Sequence, residues 1–168
     1  MSMCPGRPAL LALFDDKFEG LRQRGIAAIA QLSDEEVNWR PNEESNSVVN
    51  LVVHMAGNLH QTIESAIGGQ PDQRNRDLEF NTREAHTVAS ITAVFDRAMT
   101  SAKEVVGAVT PADLTRVVSV RGRDTTVLAV LLTVVTHLSE HLGQLMYIAK
   151  MIKGPSYQVL SVAHRRST

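Results

Sequence analysis

The segment TTVLAVLLTVVTHLSEHLGQLMYIAKMIKG, residues 125–154, decides the fold. Val130, Val134, Leu145, Ile148 and Ile152 recur in it at helical spacing, so it reads as one long helix with an apolar stripe. Asp124 offers an N-cap, and Gly154–Pro155 is a stop signal. His137 and His141 lie four residues apart, hence one turn apart on one side of this helix. They fall on the apolar stripe, not opposite it. An inward imidazole must find a hydrogen-bond partner or a metal, because burying it unpaired costs about 1–3 kcal/mol. The two rings are therefore either separately satisfied core histidines or ligands of one shared partner.

Three more helices precede this one. The first is expected from about Pro8 to Leu32, with Leu11, Phe14, Phe18, Leu21 and Ala28 on its apolar face. Pro8 suits a first turn, while Gly20 and Gly25 weaken the helix. SDEE ends it, and VNWRPNEESN reads as a loop broken by Pro41. The second helix starts at Asn46 or Ser47, both good N-caps, and stops at Gly68–Gly69. QPDQRNRDLEF reads as a polar loop. The third starts at Asn81 with Glu84 three residues on, in the manner of a capping box. It carries Val88, Ile91, Phe95, Met99, Ala102 and Val105 and stops before Pro111. LTRVVSVRGRDTT, β-branched around Arg121–Gly122, predicts a short hairpin or an extended crossover before the last helix. The expectation is an all-α four-helix bundle in a single domain over 1–168, with 1–7 and 156–168 as loosely packed ends.

Composition narrows the function. The 168 residues suit one domain with a sizeable core. Seventeen basic and eighteen acidic residues give a net charge of −1, which argues against a nucleic-acid surface. Aromatics at 4% leave little for base stacking. No uninterrupted apolar run reaches the roughly 18 residues of a membrane span, and the stretch PALLALF is too short for a signal-peptide core. The single cysteine, Cys4, can build neither an internal disulfide nor a cysteine metal site, and a cytoplasmic setting is expected.

A third ligand comes from the second helix, SNSVVNLVVHMAGNLHQTIES. His54 sits in its apolar run, flanked one turn away by Asn50 and Asn58, with Gln61 continuing the line. An exposed face would carry Lys, Glu or Arg; amides and an imidazole suit an enclosed polar pocket. His54, His137 and His141 together make a facial three-histidine site, apt for zinc, nickel or iron(II), with manganese also possible. Three protein ligands leave a coordination position for water or substrate. Gln144 and Asn58 are candidates to line that pocket. His60, His86 and His164 read as surface residues, His86 because it falls opposite the stripe of helix three. HLSEH also fits H-x-x-E-H, where the glutamate is a protease general base. Those proteases need a larger scaffold, which leaves Glu140 as a helix-surface carboxylate within reach of a histidine.

AIAQLSDEEVNWRP, NSVVNLVVHMAGN, RDLEF, HLSEHLGQLMYIAKMIKG and the final VLSV, in this order and spacing, make the chain resemble the DinB-like, or YfiT-like, superfamily of metal-dependent enzymes. Within it the chain is similar to a branch of unknown function. The resemblance implies a four-helix bundle, commonly a homodimer, with a divalent metal held at His54, His137 and His141. It implies Asn58 and Gln144 beside the site, and demands no acid at Glu140. Arg76, Asp77 and Glu79 of RDLEF would shape the pocket mouth or form surface salt bridges, while Leu78 and Phe80 pack. Characterised relatives use low-molecular-weight thiols, implying a metal that activates a thiol cofactor for transfer to a small-molecule substrate; hydrolysis by activated water is the other chemistry. A non-catalytic metal-binding or stress-response module would instead close the site with a fourth ligand such as Glu140 or Glu64. A metal-free bundle with merely polar core histidines is the third reading.

Overall fold

Helix α1 (Ala9–Ile29) opens the computed structural model, which describes residues 7–160. Four long helices follow the expected apolar stripes: α1, α3 (Val48–Leu59), α5 (Val88–Ala108) and α6 (Val127–Lys153). Both α1 and α3 pack against both α5 and α6, so α1 and α3 occupy opposite corners of a bundle. Phe18, Leu21, Met55, Phe95, Met99 and Leu131 are fully buried at its centre. Gly25 permits the closest approach: a Cβ there would overlap the Phe95 ring. The residue that weakens α1 by propensity thus lets α5 close on it.

Between the long helices the chain is more regular than expected. SDEE does more than end the first helix: with Val37 and Asn38 of the expected loop it forms a short helix, α2 (Asp34–Asn38), because Ser33 and Glu36 form a reciprocal capping box. RDLEFN forms another, α4 (Arg76–Asn81), capped by Asn75. Asn81 therefore ends a helix and does not start one. The start of α5 moves to Val88, with Thr87 and Ser90 as its capping box. His86 precedes that helix; its backbone pairs with the Asn38 side chain at 2.7 and 3.0 Å.

α3 is capped by Ser47 and passes at its C-terminal end into a π-helical turn, His60–Ser65. A 3-10 turn, Pro111–Thr115, leads into the expected hairpin. Strand β1 (Val117–Val120) pairs antiparallel with β2 (Arg123–Thr126), in the register Val117 to Thr126 and Val120 to Arg123. Arg121 and Gly122 form the tip, both with positive φ, 53° and 73°. The cap of α6 is Thr126, not Asp124, because Asp124 is held in β2 opposite Ser119.

The described parts of the ends are tied down. Arg7 donates to the carbonyls of Val106 and Gly107 at 2.8 and 2.9 Å. Gln158 and Gln31 exchange two hydrogen bonds, and Tyr157 and Leu160 pack on the core. Arg7, Tyr157 and Leu160 are thus anchored, whereas Ser156 and Val159 are exposed, and Cys4 and His164 lie outside the described residues. By length and mean hydropathy the segment Val127–Ser156 could cross a membrane, a third of its most apolar stretch being buried here. In the bundle α6 is a core helix with Leu131, Leu138 and Leu145 fully enclosed.

Phe95→Ala should lower the unfolding free energy by about 3–5 kcal/mol, read by urea denaturation of the full chain. A loss below about 1 kcal/mol would mean that the Gly25–Phe95 contact does not carry the α1–α5 packing.

Candidate metal centre

His54 projects from α3, and His137 and His141 from the adjacent α6. The three rings meet edge to face or tilted, with centroids 4.4–5.0 Å apart. The Nε2 of His137 lies 3.1 Å from the Nε2 of His54 and 3.1 Å from that of His141. One nitrogen from each ring lies within 4.8 Å of the other two. Nitrogens 3.1 Å apart can both lie about 2.0–2.1 Å from one ion.

The outer nitrogens explain why the inner ones are lone pairs. Both oxygens of Glu79 accept from Arg74, Oε1 from Nε at 2.7 Å and Oε2 from Nη2 at 2.8 Å. Neither oxygen is left to carry a proton, so the 2.8 Å contact between Oε2 and His54 Nδ1 places the hydrogen on the imidazole. Arg74 Nη2, 3.3 Å from the same Nδ1, is the weaker contact. His141 Nδ1 similarly donates to Gln144 Oε1 at 3.0 Å. The Nε2 atoms of His54 and His141 thus both turn lone pairs inward. His137 adds a buried Nδ1 without a partner among the described residues. Its Nε2 can donate to one neighbour but not to both. Clustered lone pairs repel unless a cation lies among them, so these donors fit a divalent metal. Burial pushes the His137 imidazole down to about 4, with the neighbouring His141 and His54 adding to the shift. Burial also lowers His54, against the opposing hydrogen bond that it donates to Glu79. Neutral imidazole is the form a metal requires.

Glu79 reaches this place through backbone packing. Helix α4 lies across α3 at Gly57, where a Cβ would overlap the Glu79 carboxylate. Asn50 fixes the other end: its Nδ2 donates to the Glu79 carbonyl at 2.9 Å, and its Oδ1 accepts from Arg40 at 2.5 Å. The Asn50–His54 line on α3 is thus the seam that receives α4. Gln61, in the π-helical turn, extends the network, accepting from Arg74 at 3.1 Å and from Arg121 of the hairpin tip at 2.7 Å.

The centre opens into a cleft of about 880 Å³. Asn58, Thr62, Phe80, Val130 and Val134 line it along with the three histidines. Asn58 is 8% exposed, and its Oδ1 has no hydrogen-bond partner among the described residues.

The histidines expected to converge do so, and Asn58 lines the cleft beside them; Gln144 does not line it as expected, but is exposed and holds the outer nitrogen of His141. Glu140 does not reach the cleft; it is exposed and hydrogen-bonds neither histidine. Glu64 pairs with His60 at 3.1 Å, and His60 Nε2 also lies 3.2 Å from the Pro71 carbonyl, so His60 braces a loop. Asp77 is exposed and Arg76 lies over Phe80, 5.0 Å from its centroid. Glu79 is neither at the pocket mouth nor in a surface salt bridge, but 4% exposed behind His54. Arg74 and Arg121 were not anticipated at all. A lone glycine at position 57, facing an acid-bearing segment, is the nearest signal for Glu79.

Comparison with known proteins agrees with this architecture. A family profile described as "Protein of unknown function (DUF1572)" matches residues 8–166, so the chain belongs to that family. No curated protein matches. A DinB-like protein of Bacillus cereus ATCC 10987 superposes with a TM-score of 0.69 at 16% identity, covering 87% of this chain and 95% of its own. A DinB-like protein of Bacillus subtilis gives 0.68 at 18% identity, covering 88% and 96%. These likenesses show the fold.

The lowered imidazoles fix a pH dependence for metal-free protein. Above about pH 6.5 both histidines are neutral whether folded or not. Below it the unfolded chain binds protons that folded His137 refuses until about pH 4, so stability falls across that window. In chelator, the melting temperature should drop more steeply from pH 6.5 to 4.5 for wild type than for His137→Asn. Equal slopes would refute the buried, neutral state of His137.

Proposed function

For a DUF1572 chain of DinB-like fold, we propose a divalent-metal protein whose His54, His137 and His141 hold the ion with one side open to the cleft. The observation that carries this reading is the pair of inward lone pairs fixed by Glu79 and Gln144 around His137 Nε2. Zinc or nickel suits three imidazoles best, with iron or manganese as further choices. Such an ion is a Lewis acid that lowers the pKa of a thiol or a water reaching it.

The chain's own residues then divide the work. Glu79 keeps His54 in the Nδ1–H tautomer, and Arg74 keeps Glu79 from turning away. Asn58 offers an uncommitted amide to whatever enters. Phe80, Val130 and Val134 exclude water from the inner wall. An open site of this kind favours thiol-dependent transfer or hydrolysis of a small molecule over a structural metal. A closed site would need a fourth protein ligand, and Glu64 and Glu140 are engaged or turned elsewhere. A homodimer in the cytoplasm, acting on neither nucleic acid nor membrane, completes the proposal.

Metal content by mass spectrometry tests it. Wild type should carry near one equivalent, and His137→Ala should lose it. Glu79→Gln should keep the fold by circular dichroism yet weaken metal affinity about 10–100-fold in a chelator competition. No metal in wild type, even after incubation with zinc or nickel, would sink the proposal.

A further inference from the structure

The wall of the cleft facing the histidines is cationic. Arg76 from the first turn of α4, Arg121 from the hairpin tip and Arg123 from β2 all line it. No aspartate or glutamate does so among the described lining residues. None of the three arginines has an ion-pair partner among the described residues, whereas Arg74, directly behind, is engaged by Glu79 and Gln61. Asp72, the nearby acid on the outer side, is held by Gln61 and by the Arg74 backbone.

The turn itself points the same way. A tip with positive φ at both central residues favours Asn-Gly, Asp-Gly or Gly-Gly. Here its first central residue is an arginine at φ 53°, a conformation that side chains of this kind rarely adopt. The bond from Arg121 Nε to Gln61 fixes that side chain beside the cleft and leaves its two terminal nitrogens free for a ligand. Partial burial, and after it the guanidiniums of Arg74 and Arg76, disfavour the Arg121 charge, against the opposing pull of Glu79 and Asp72. An anion would relieve that crowding.

We propose that Arg76, Arg121 and Arg123 recognise an oxyanion, a carboxylate or a phosphate, on a small molecule whose apolar body lies along Phe80 and Val130 and whose far end meets the three histidines. Guanidinium forks match both oxyanions in geometry and charge. This deepens the reading of the cleft as a substrate site, but the arginines can be tested apart from the metal.

Calorimetric titration of chelator-treated full-length protein with inorganic phosphate, succinate and neutral succinamide supplies the test. At least one of the two anions should bind, and succinamide should not. Arg121→Gln/Arg123→Gln should weaken anion binding by roughly tenfold or more, with its circular dichroism unchanged. Arg24→Gln, on α1 and bonded among the described residues only to the Gly20 carbonyl, should bind as wild type does. Phosphate without succinate would assign a phosphate ester, and the reverse a carboxylate. Failure of both anions to bind, equal affinity in the double variant, or succinamide binding as well as succinate would overturn the proposal. Metal content of untreated samples separates the two readings. Anion binding by a chain that takes up no metal would refute the metal centre alone; metal uptake without anion binding would refute only the arginine site.

Discussion

A carboxylate at 4% exposure inside a helical bundle is tolerable only if both its oxygens are hydrogen-bonded. Glu79 meets this condition through Arg74 and His54, and most of the irregular structure exists to keep that arrangement closed. Helix α4 delivers the carboxylate. Asn50 holds the α4 backbone against α3. Gly57 clears the space, and Gln61 braces Arg74 from the far side. Removing one partner of a buried charged pair leaves the other uncompensated, at a cost of about 3–5 kcal/mol. The geometry around His54 is thereby far stiffer than a lone imidazole on a helix would be.

Long-range order and short-range order differed in how well they could be read. The four long helices announced themselves through stripes such as Leu11–Phe14–Phe18–Leu21 and Ile91–Phe95–Met99–Ala102, which the core uses as expected. His137 and His141 were legible because their spacing and their place on an apolar face carry the same message. His54 was legible because amides, not charges, surround it. Helices α2 and α4 were not, since five or six residues are too few for a periodicity to emerge. Their caps are clear in hindsight, but Asn81 and Glu84 imitate a cap equally well. Tertiary ties from Arg40 to Thr82 and from Asn38 to His86 settle where α5 begins.

The Glu79–His54 pairing was hidden for another reason. Its partners are 25 residues apart and meet only because α4 folds back over Gly57. Glycine in a helix interior reads as a weakness by propensity. Gly25 and Gly57 both show the opposite use, as places where a neighbour needs the volume of a missing Cβ. The π-helical turn is equally silent in sequence. It places Gln61 between Arg74 and the hairpin, where one side chain joins three separate elements.

The hairpin is joined to α6 without an intervening residue: Thr126 ends β2 and caps the helix, and the Val127 amide bonds back to the Arg116 carbonyl. Two of the three histidines and one wall of the cleft therefore belong to a single rigid piece, while the tip residues themselves bear no part of the core. The tip could thus be exchanged as a cassette. Such exchange would retune what the cleft admits without disturbing the core of the bundle, and would reach the histidines only through the Arg121–Gln61–Arg74 contacts.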